Sequence, residues 1–285
     1  MIMSGKTCVI TGATSGIGQA AAEALAASGA RIIVVARSEA RGISTIAKLQ
    51  TIAPDVAHSV FYGDLSQIAD MKRIAADISR AVPRIDVLIN NAGALFSRRH
   101  TTVDGLELTF ALNHLSYFVL THGLRERFLA AAPARVINTA SAMHKRARLN
   151  FDDLQSERDY NGVSAYERSK LCNVLFTREL ARRLGGTAFT ANALHPGLVA
   201  SRFGDQSGGV LSPAFGIIKR LFGVSAERGA ATIVFLASSP DVAKISGSYF
   251  ERCRPVLPGR QAERDDDARR LWTKTEILTG IDWSP

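Results

Sequence analysis

Thr11-Gly12-Ala13-Thr14-Ser15-Gly16-Ile17-Gly18 follows a short apolar run, Thr7-Cys8-Val9-Ile10, and precedes a helical pattern from Gln19 to Ser28. Strand, glycine-rich turn and helix in that order form a pocket for a pyrophosphate. Glycine lets the backbone turn tightly and approach a ligand, and the free N–H groups of the helix N-terminus then face its negative charge. The spacing Gly-x3-Gly-x-Gly differs from Gly-x-Gly-x-x-Gly by one residue of loop, so the string alone also fits an ordinary strand-to-helix turn. The neighbouring segments decide between the two.

Outward from this turn, strand-like and helix-like segments alternate. Residues Arg31–Ala36, Ser59–Tyr62, Ile85–Asn90, Arg135–Thr139 and Ala188–Leu194 are β-rich and bounded by turn residues. Helical patterns run over Ala40–Ile52, Ile68–Val82, Leu106–Ala132, Ser164–Leu184 and Ala226–Ala237. Near-continuous apolar strands separated by helices predict an α/β fold, a Rossmann-type doubly wound parallel sheet with helices on both faces. Its ligands lie beyond the carboxyl ends of the strands. The length of 285 residues fits one such domain, 1–285. The stretch 202–223, rich in Gly, Ser, Phe and Leu, breaks the alternation after a strand's carboxyl end and reads as a substrate lid, with a long surface connection as the alternative. Glu263–Arg270, leading into Leu271-Trp272, reads as a C-terminal helix docking by one apolar face.

Composition narrows the function classes. An apolar fraction of 46% and a charged fraction of 21% are those of a soluble globular protein. No stretch reaches the roughly 18 to 20 apolar residues of a membrane helix. The first strand begins too near Met1 for a signal peptide, which predicts a cytoplasmic protein. Cys8, Cys172 and Cys253 are few and far apart, which argues for reduced thiols and against a disulfide framework or a metal site. The net charge of +9 invites a nucleic-acid hypothesis. The basic residues are scattered, however, with no recognition helix or aromatic stripe among them, so no nucleic-acid partner is expected. Lys145, Arg146 and Arg148 follow a candidate catalytic strand and fit either a solvated loop or a contact to an acidic substrate.

A ribose-reading residue belongs at the end of the second strand, where Ala36 and Arg37 stand in place of an acid. Arg37 offers a planar, permanently charged donor fork suited to a 2′-phosphate, which predicts NADP(H) over NAD(H). Asp64, followed by Leu65, ends the third strand. Its carboxylate can accept from an adenine amino group or cap the helix beginning near Ser66. Asn90-Asn91-Ala92-Gly93 closes the fourth, letting backbone approach an adenosine or simply making a strand-ending turn.

Tyr166 and Lys170, four residues apart on a helical pattern, share one face and can reach a common ligand. A phenol loses its proton near pH 10, too high for efficient acid–base work. A nearby ammonium and an oxidised nicotinamide would lower that value. Ser141 ends the fifth strand, where its hydroxyl can donate to a substrate carbonyl oxygen. His144 is close in sequence, but no nucleophile elbow surrounds Ser141, so a Ser-His-Asp reading fails. Asn113 sits in a long helical pattern where an amide is locally unfavourable, which hints at a role such as holding a water beside Lys170.

Taken in order, the Thr11–Gly18 turn, Asp64, Asn90–Gly93, Asn113, Ser141, Tyr166/Lys170 and His195-Pro196-Gly197 resemble the short-chain dehydrogenase/reductase superfamily over nearly the whole chain. The resemblance implies that Tyr166 is the general acid/base, Ser141 polarises the substrate oxygen, Lys170 assists Tyr166 and binds ribose, and Asn113 completes a proton relay. It implies a cofactor lined by Gly12, Ser15, Gly16, Ile17, Gly18, Arg37, Asp64, Leu65, Asn91, Ala92, Gly93, Tyr166, Lys170, Pro196, Gly197, Val199 and Ser201, with Ser201 on the carboxamide. His195 would be a structural neighbour of that loop. Within the superfamily the chain looks most like the retinol-dehydrogenase-like branch, by Thr102–Glu107, Asn113-His114-Leu115, Ser169–Asn173, Leu180–Arg183 and the long gap from Ser141 to Tyr166. The membrane-anchoring N-terminal segment of many such enzymes is missing, and 202–223 matches no member. The expected activity is an NADP(H)-dependent exchange of hydroxyl and carbonyl on a lipophilic alcohol, ketone or aldehyde. Protochlorophyllide reductases share a Cys at the position of Cys172, so a C=C reductase is the alternative within the superfamily. A nucleotide-sensing protein without chemistry is the alternative outside it. Dimers or tetramers are what the resemblance implies for assembly.

Overall fold

The computed structural model describes residues 1–197 and 225–283. Eight strands form one sheet in the order β3-β2-β1-β4-β5-β6-β7-β8. These are β1 (Thr7–Thr11), β2 (Arg31–Ala36), β3 (Ser59–Tyr62), β4 (Val87–Asn90), β5 (Ala134–Thr139), β6 (Phe189–His195), β7 (Tyr249–Glu251) and β8 (Arg254–Val256). All neighbours pair in parallel except β7 and β8. The order reverses between β1 and β4, which opens a crevice beyond their carboxyl ends, as the doubly wound reading expects.

Successive strand residues face opposite sides and serve two separate cores. Val9, Leu88 and Val136 point to one side, under α3 (Ile68–Ala81), α5 (Ser116–Gly123), α7 (Gly162–Arg183) and α9 (Asp265–Thr279). Cys8, Ile10, Ile89 and Ile137 point to the other, under α1 (Gly16–Ala27), α2 (Glu39–Ile52) and α8 (Ala226–Ser238). The helices present matching stripes. Gly18, Ala21, Ala22, Leu25 and Ala26 are the buried residues of α1, and Met71, Ile74, Ala75 and Ile78 those of α3. The C-terminal helix docks by Ala268, Leu271, Trp272, Thr275 and Thr279, as its pattern predicts.

One expectation needs correction, and one element was not anticipated. The helix read over Leu106–Ala132 is broken into α4 (Leu108–Phe110), a π-helical turn (Ala111–Leu115), α5 and α6 (Arg125–Ala131). Periodicity carried through because the π turn inserts with almost no break in burial, and Asn113 within it bonds to Ala94 and Ser169. The β7–β8 hairpin was missed altogether. Its strands have three residues each, too short to show alternation, and its turn places Arg252 and Cys253 at φ of 50° and 60° without a glycine. The candidate lid 202–223, Val199 and Ser201 lie outside the described residues.

Some of the scattered basic residues serve local ion pairs. Arg73 pairs with Asp70 and Asp77, and Arg182 and Arg183 both pair with Glu179. Lys145 pairs with Glu251 at 3.1 Å, so the loop after β5 uses one of its cations against β7. Among the described residues no helix is long and apolar enough to cross a membrane.

Candidate active site

The crevice between β1 and β4 is closed at its base by main chain. Thr11 Oγ1 accepts from the backbone N–H groups of Asn91 and Ala92, both at 2.9 Å. Asn91 Nδ2 in turn donates to Thr11 O at 3.1 Å and Gly12 O at 3.3 Å. Gly12 has φ +67°, and a Cβ there would stand 2.9 Å from Ala92 Cα. A Cβ on Gly18 would stand 2.5 Å from Asn91 Nδ2. Both glycines are therefore required by close approach as well as by turning. Ser15 stands at the N-cap of α1 in extended conformation, and its side chain makes no capping bond. The first-turn N–H groups are thus left to a ligand, and the cradle fits a pyrophosphate.

Arg37 is exposed directly after β2, and Ser38 caps α2 by accepting from Arg41 N–H at 3.5 Å. Asp64 Oδ1 accepts from Ser66 N–H at 3.0 Å and Ser66 Oγ at 2.8 Å, so this oxygen organises the following turn. Leu65 beside it is buried. Pro196 and Gly197 follow β6, with Gly197 at φ +89° and His195 opposite Glu251 of β7.

Ser141, Tyr166 and Lys170 meet at the carboxyl edge of β5. Tyr166 and Lys170 share one face of α7, whose first turn is capped by Asn161 Oδ1 accepting from Ser164 N–H at 3.0 Å. Lys170 Nζ stands 5.6 Å from the centre of the Tyr166 ring and donates to Thr139 O at 2.9 Å. The Ser141 hydroxyl hydrogen-bonds Tyr166 and accepts from Met143 N–H at 3.2 Å. Burial pushes the Tyr166 phenol up, and the Ser141 bond offsets only part of this. Burial also pushes Lys170 down to about 7. The expected lowering of the phenol by an ammonium is therefore not what these groups produce by themselves. Lys170 is itself close to losing its charge near neutral pH, and both groups are shut away from water.

Asn113 sits in the π turn, a feature often found at functional sites. Its Oδ1 accepts from Ala94 N–H, and its Nδ2 donates to Ala94 O and Ser169 Oγ, each at 2.9 Å. Ser169 Oγ donates to Tyr166 O at 2.7 Å, so the amide ties the Ala94 segment to the helix carrying Tyr166. A Cβ on Gly93 would lie 3.1 Å from Asn113 Oδ1 and 3.3 Å from Lys170 Nζ, which puts the β1–β4 crevice and the Ser141, Tyr166, Lys170 cluster side by side.

Sequence reasoning missed several supports. Thr139 O accepts from Lys170 and also from Tyr117 OH and Asn173 Nδ2, each of the latter at 3.4 Å. Tyr117 OH also donates to Ala92 O at 3.0 Å. Ser169, three residues after Tyr166, and Asn173, three after Lys170, stand at helical spacing, a signal that was present, whereas a carbonyl such as that of Thr139 leaves no mark in sequence. Cys8 and Cys172 are buried and free, with burial pushing both thiols up. Among the described residues no group of three or more His, Cys, Asp or Glu is placed to hold a metal.

Fold and site together define a nucleotide-binding α/β protein with a buried Ser, Tyr, Lys cluster beside the nucleotide crevice. The sequence pattern described as short chain dehydrogenase matches residues 6–208, and the chain belongs to that family of nicotinamide-dependent oxidoreductases. It is 40% identical to retinol dehydrogenase 14 of Mus musculus, over 98% of this chain and 87% of that one. It is 37% identical to retinol dehydrogenase 12 of Homo sapiens, over 99% and 88%. Among solved structures, an uncharacterized protein from Mycobacterium paratuberculosis superposes with a TM-score of 0.79 at 31% identity, covering 99% of this chain and 96% of that chain. The RhlG/NADP complex of Pseudomonas aeruginosa superposes with a TM-score of 0.70 at 26% identity, covering 92% and 98%.

Proposed function

We propose that the protein is an NADP(H)-dependent oxidoreductase that interconverts a hydroxyl and a carbonyl on a lipophilic substrate. The observation that carries this reading is the buried Ser141–Tyr166–Lys170 cluster set against Gly93 at the mouth of the crevice. The similarity to retinol dehydrogenases supports a lipophilic alcohol or aldehyde as substrate. Arg37 at the end of β2 supports a 2′-phosphorylated cofactor, as does the likeness to the RhlG/NADP complex.

The crevice residues Gly12, Ser15, Gly16, Ile17 and Gly18 would hold the pyrophosphate, and Asn91, Ala92 and Gly93 the adenosine side. The nicotinamide, when bound, supplies or accepts the hydride. In reduction, Tyr166 donates its proton to the carbonyl oxygen while Ser141 hydrogen-bonds that oxygen as charge develops on it. A phenol held protonated by burial suits the role of acid, and Lys170 keeps its donors beside the ring to stabilise the phenolate left behind. Asn113 holds the cluster together. Because its side-chain amide is already engaged, a proton relay ending there would use its main chain. The same proposal treats 1–285 as one domain acting in the cytoplasm as a homo-oligomer, with 202–223 as the substrate lid.

The test is NADPH oxidation against a panel of hydrophobic aldehydes and ketones. Turnover of a carbonyl is expected; tight NADPH binding with no turnover would overturn the enzyme reading in favour of a nucleotide sensor. Turnover confined to conjugated C=C bonds would overturn the hydroxyl–carbonyl reading.

A further inference from the structure

His144 lies in the short 3-10 turn Ala142–Arg146 that follows Ser141, and it is completely buried. Its Nε2 accepts the backbone N–H of Gly259 at 2.9 Å. A peptide N–H can only donate, so Nε2 carries no proton and the ring's single proton sits on Nδ1. Nδ1 therefore donates to Ser141 O, at 2.6 Å, and the backbone N–H of His144 donates to the same oxygen at 3.1 Å. Burial lowers the His144 pKa and keeps the ring neutral, which preserves both bonds. The ring edge packs on Tyr249 of β7 at 4.7 Å between centres.

The other side of the clamp is equally close. A Cβ on Gly259 would stand 2.7 Å from Lys145 Cα, so only glycine lets the C-terminal segment lie flush on the turn after Ser141. With the Ser141 carbonyl held by two donors and its Oγ accepting from Met143 N–H, the Ser141 hydroxyl proton is left to point at Tyr166 and a substrate oxygen.

We propose that His144 is a positioning residue for Ser141, locking the Ser141 main chain between the end of β5 and the Gly259 segment. This rests on the role given to Ser141 above. His144 touches the Ser141 carbonyl and not its hydroxyl, so it acts through Ser141 and not on the reacting atoms.

Two variants separate its two bonds. His144→Asn places an amide nitrogen near the Nδ1 position and keeps the donor to Ser141 O. His144→Gln reaches the Nε2 position and keeps the acceptor for Gly259 N–H. With NADPH and a hydrophobic aldehyde that wild type reduces, His144→Gln is expected to lose about tenfold or more in kcat at unchanged NADPH affinity. His144→Asn should stay within about threefold of wild type. In a Ser141→Ala background, His144→Gln should cost nothing further. Equal kcat in the two variants, or losses that multiply in that background, would overturn the clamp. If His144→Gln does not fold, His144→Phe carries the test, because it keeps a ring of similar volume and removes the donor to Ser141 O; wild-type kcat there would also overturn it. Nitrogen NMR of the His144 ring reads the tautomer without turnover, and a proton on Nε2 would reject the geometry. Wild-type inactivity towards every carbonyl offered, with the Nδ1 tautomer observed, would instead sink the role of Ser141.

Discussion

The glycine turn and the candidate catalytic cluster adjoin at Gly93, yet they are built in opposite ways. The turn is contiguous, eight residues from Thr11 to Gly18, and its working parts are main-chain N–H groups and missing side chains. The cluster draws Asn113, Thr139, Ser141, Tyr166 and Lys170 from the π turn, β5 and the residues just beyond it, and α7, and it is made mostly of side chains shut away from water. In the turn, a change acts by occupying space. In the cluster, it acts by moving a proton or a charge, and buried charges respond far more strongly to their surroundings than exposed ones.

Tyr166→Phe tests the contrast most severely. It removes one hydroxyl and should cost about 10²- to 10⁴-fold in kcat, the usual worth of a general acid, while the NADPH dissociation constant stays near wild type. Retained turnover would show that the cluster is scaffolding.

Lys170→Met should lower kcat about 10²-fold and at the same time stabilise the fold. The sign follows from its depressed value. Lys170 titrates at about 7 when folded against 10.5 ordinarily, so between these the unfolded chain binds a proton that the folded chain does not. Stability therefore rises with pH across that window, and below it the full penalty of burying the ammonium is present. Thermal melts should show the variant above wild type at pH 6, with the gap closing towards pH 10. A gap that widens with pH would reverse the assignment.

Arg37→Asp moves the test to the cofactor side. Replacing a charge-assisted donor by a carboxylate should shift the ratio of kcat/KM for NADPH over NADH by about 10- to 100-fold towards NADH. An unchanged ratio would remove Arg37 from cofactor selection.

Gly18→Ala is the gentlest change, one methyl in a site with no room for it. The overlap with Asn91 and Gly12 should weaken NADPH binding about tenfold and destabilise the fold by about 1–3 kcal/mol. Equal loss of kcat at saturating NADPH would show that the two regions are less separate than their construction implies.

Much of this arrangement was legible before the structure. The strand–turn–helix opening was readable because glycine spacing and apolar runs are local, and the shared face of Tyr166 and Lys170 because helical spacing is fixed by backbone geometry. Asn113 stood out as an amide inside a helical pattern, though its partners, Ala94 and Ser169, did not. His144 was visible beside Ser141 and was rejected as a triad member, but nothing nearby announces that Gly259 will supply the bond that sets its tautomer. The β7–β8 hairpin, three residues per strand, was below the length at which alternation can be seen.

The sequence by itself determined the α/β alternation, the glycine-rich turn between strand and helix, and the shared helical face of Tyr166 and Lys170, because each depends on residues close together along the chain. Only the tertiary structure decided that Lys170 is buried with its pKa drawn down to about 7, that burial raises Tyr166, that Leu106–Ala132 breaks at a π turn, and that His144 bonds the Ser141 carbonyl. Burial and hydrogen-bond partnership are set by segments far apart in sequence, and it is those distant neighbours that fix a group's charge and aim.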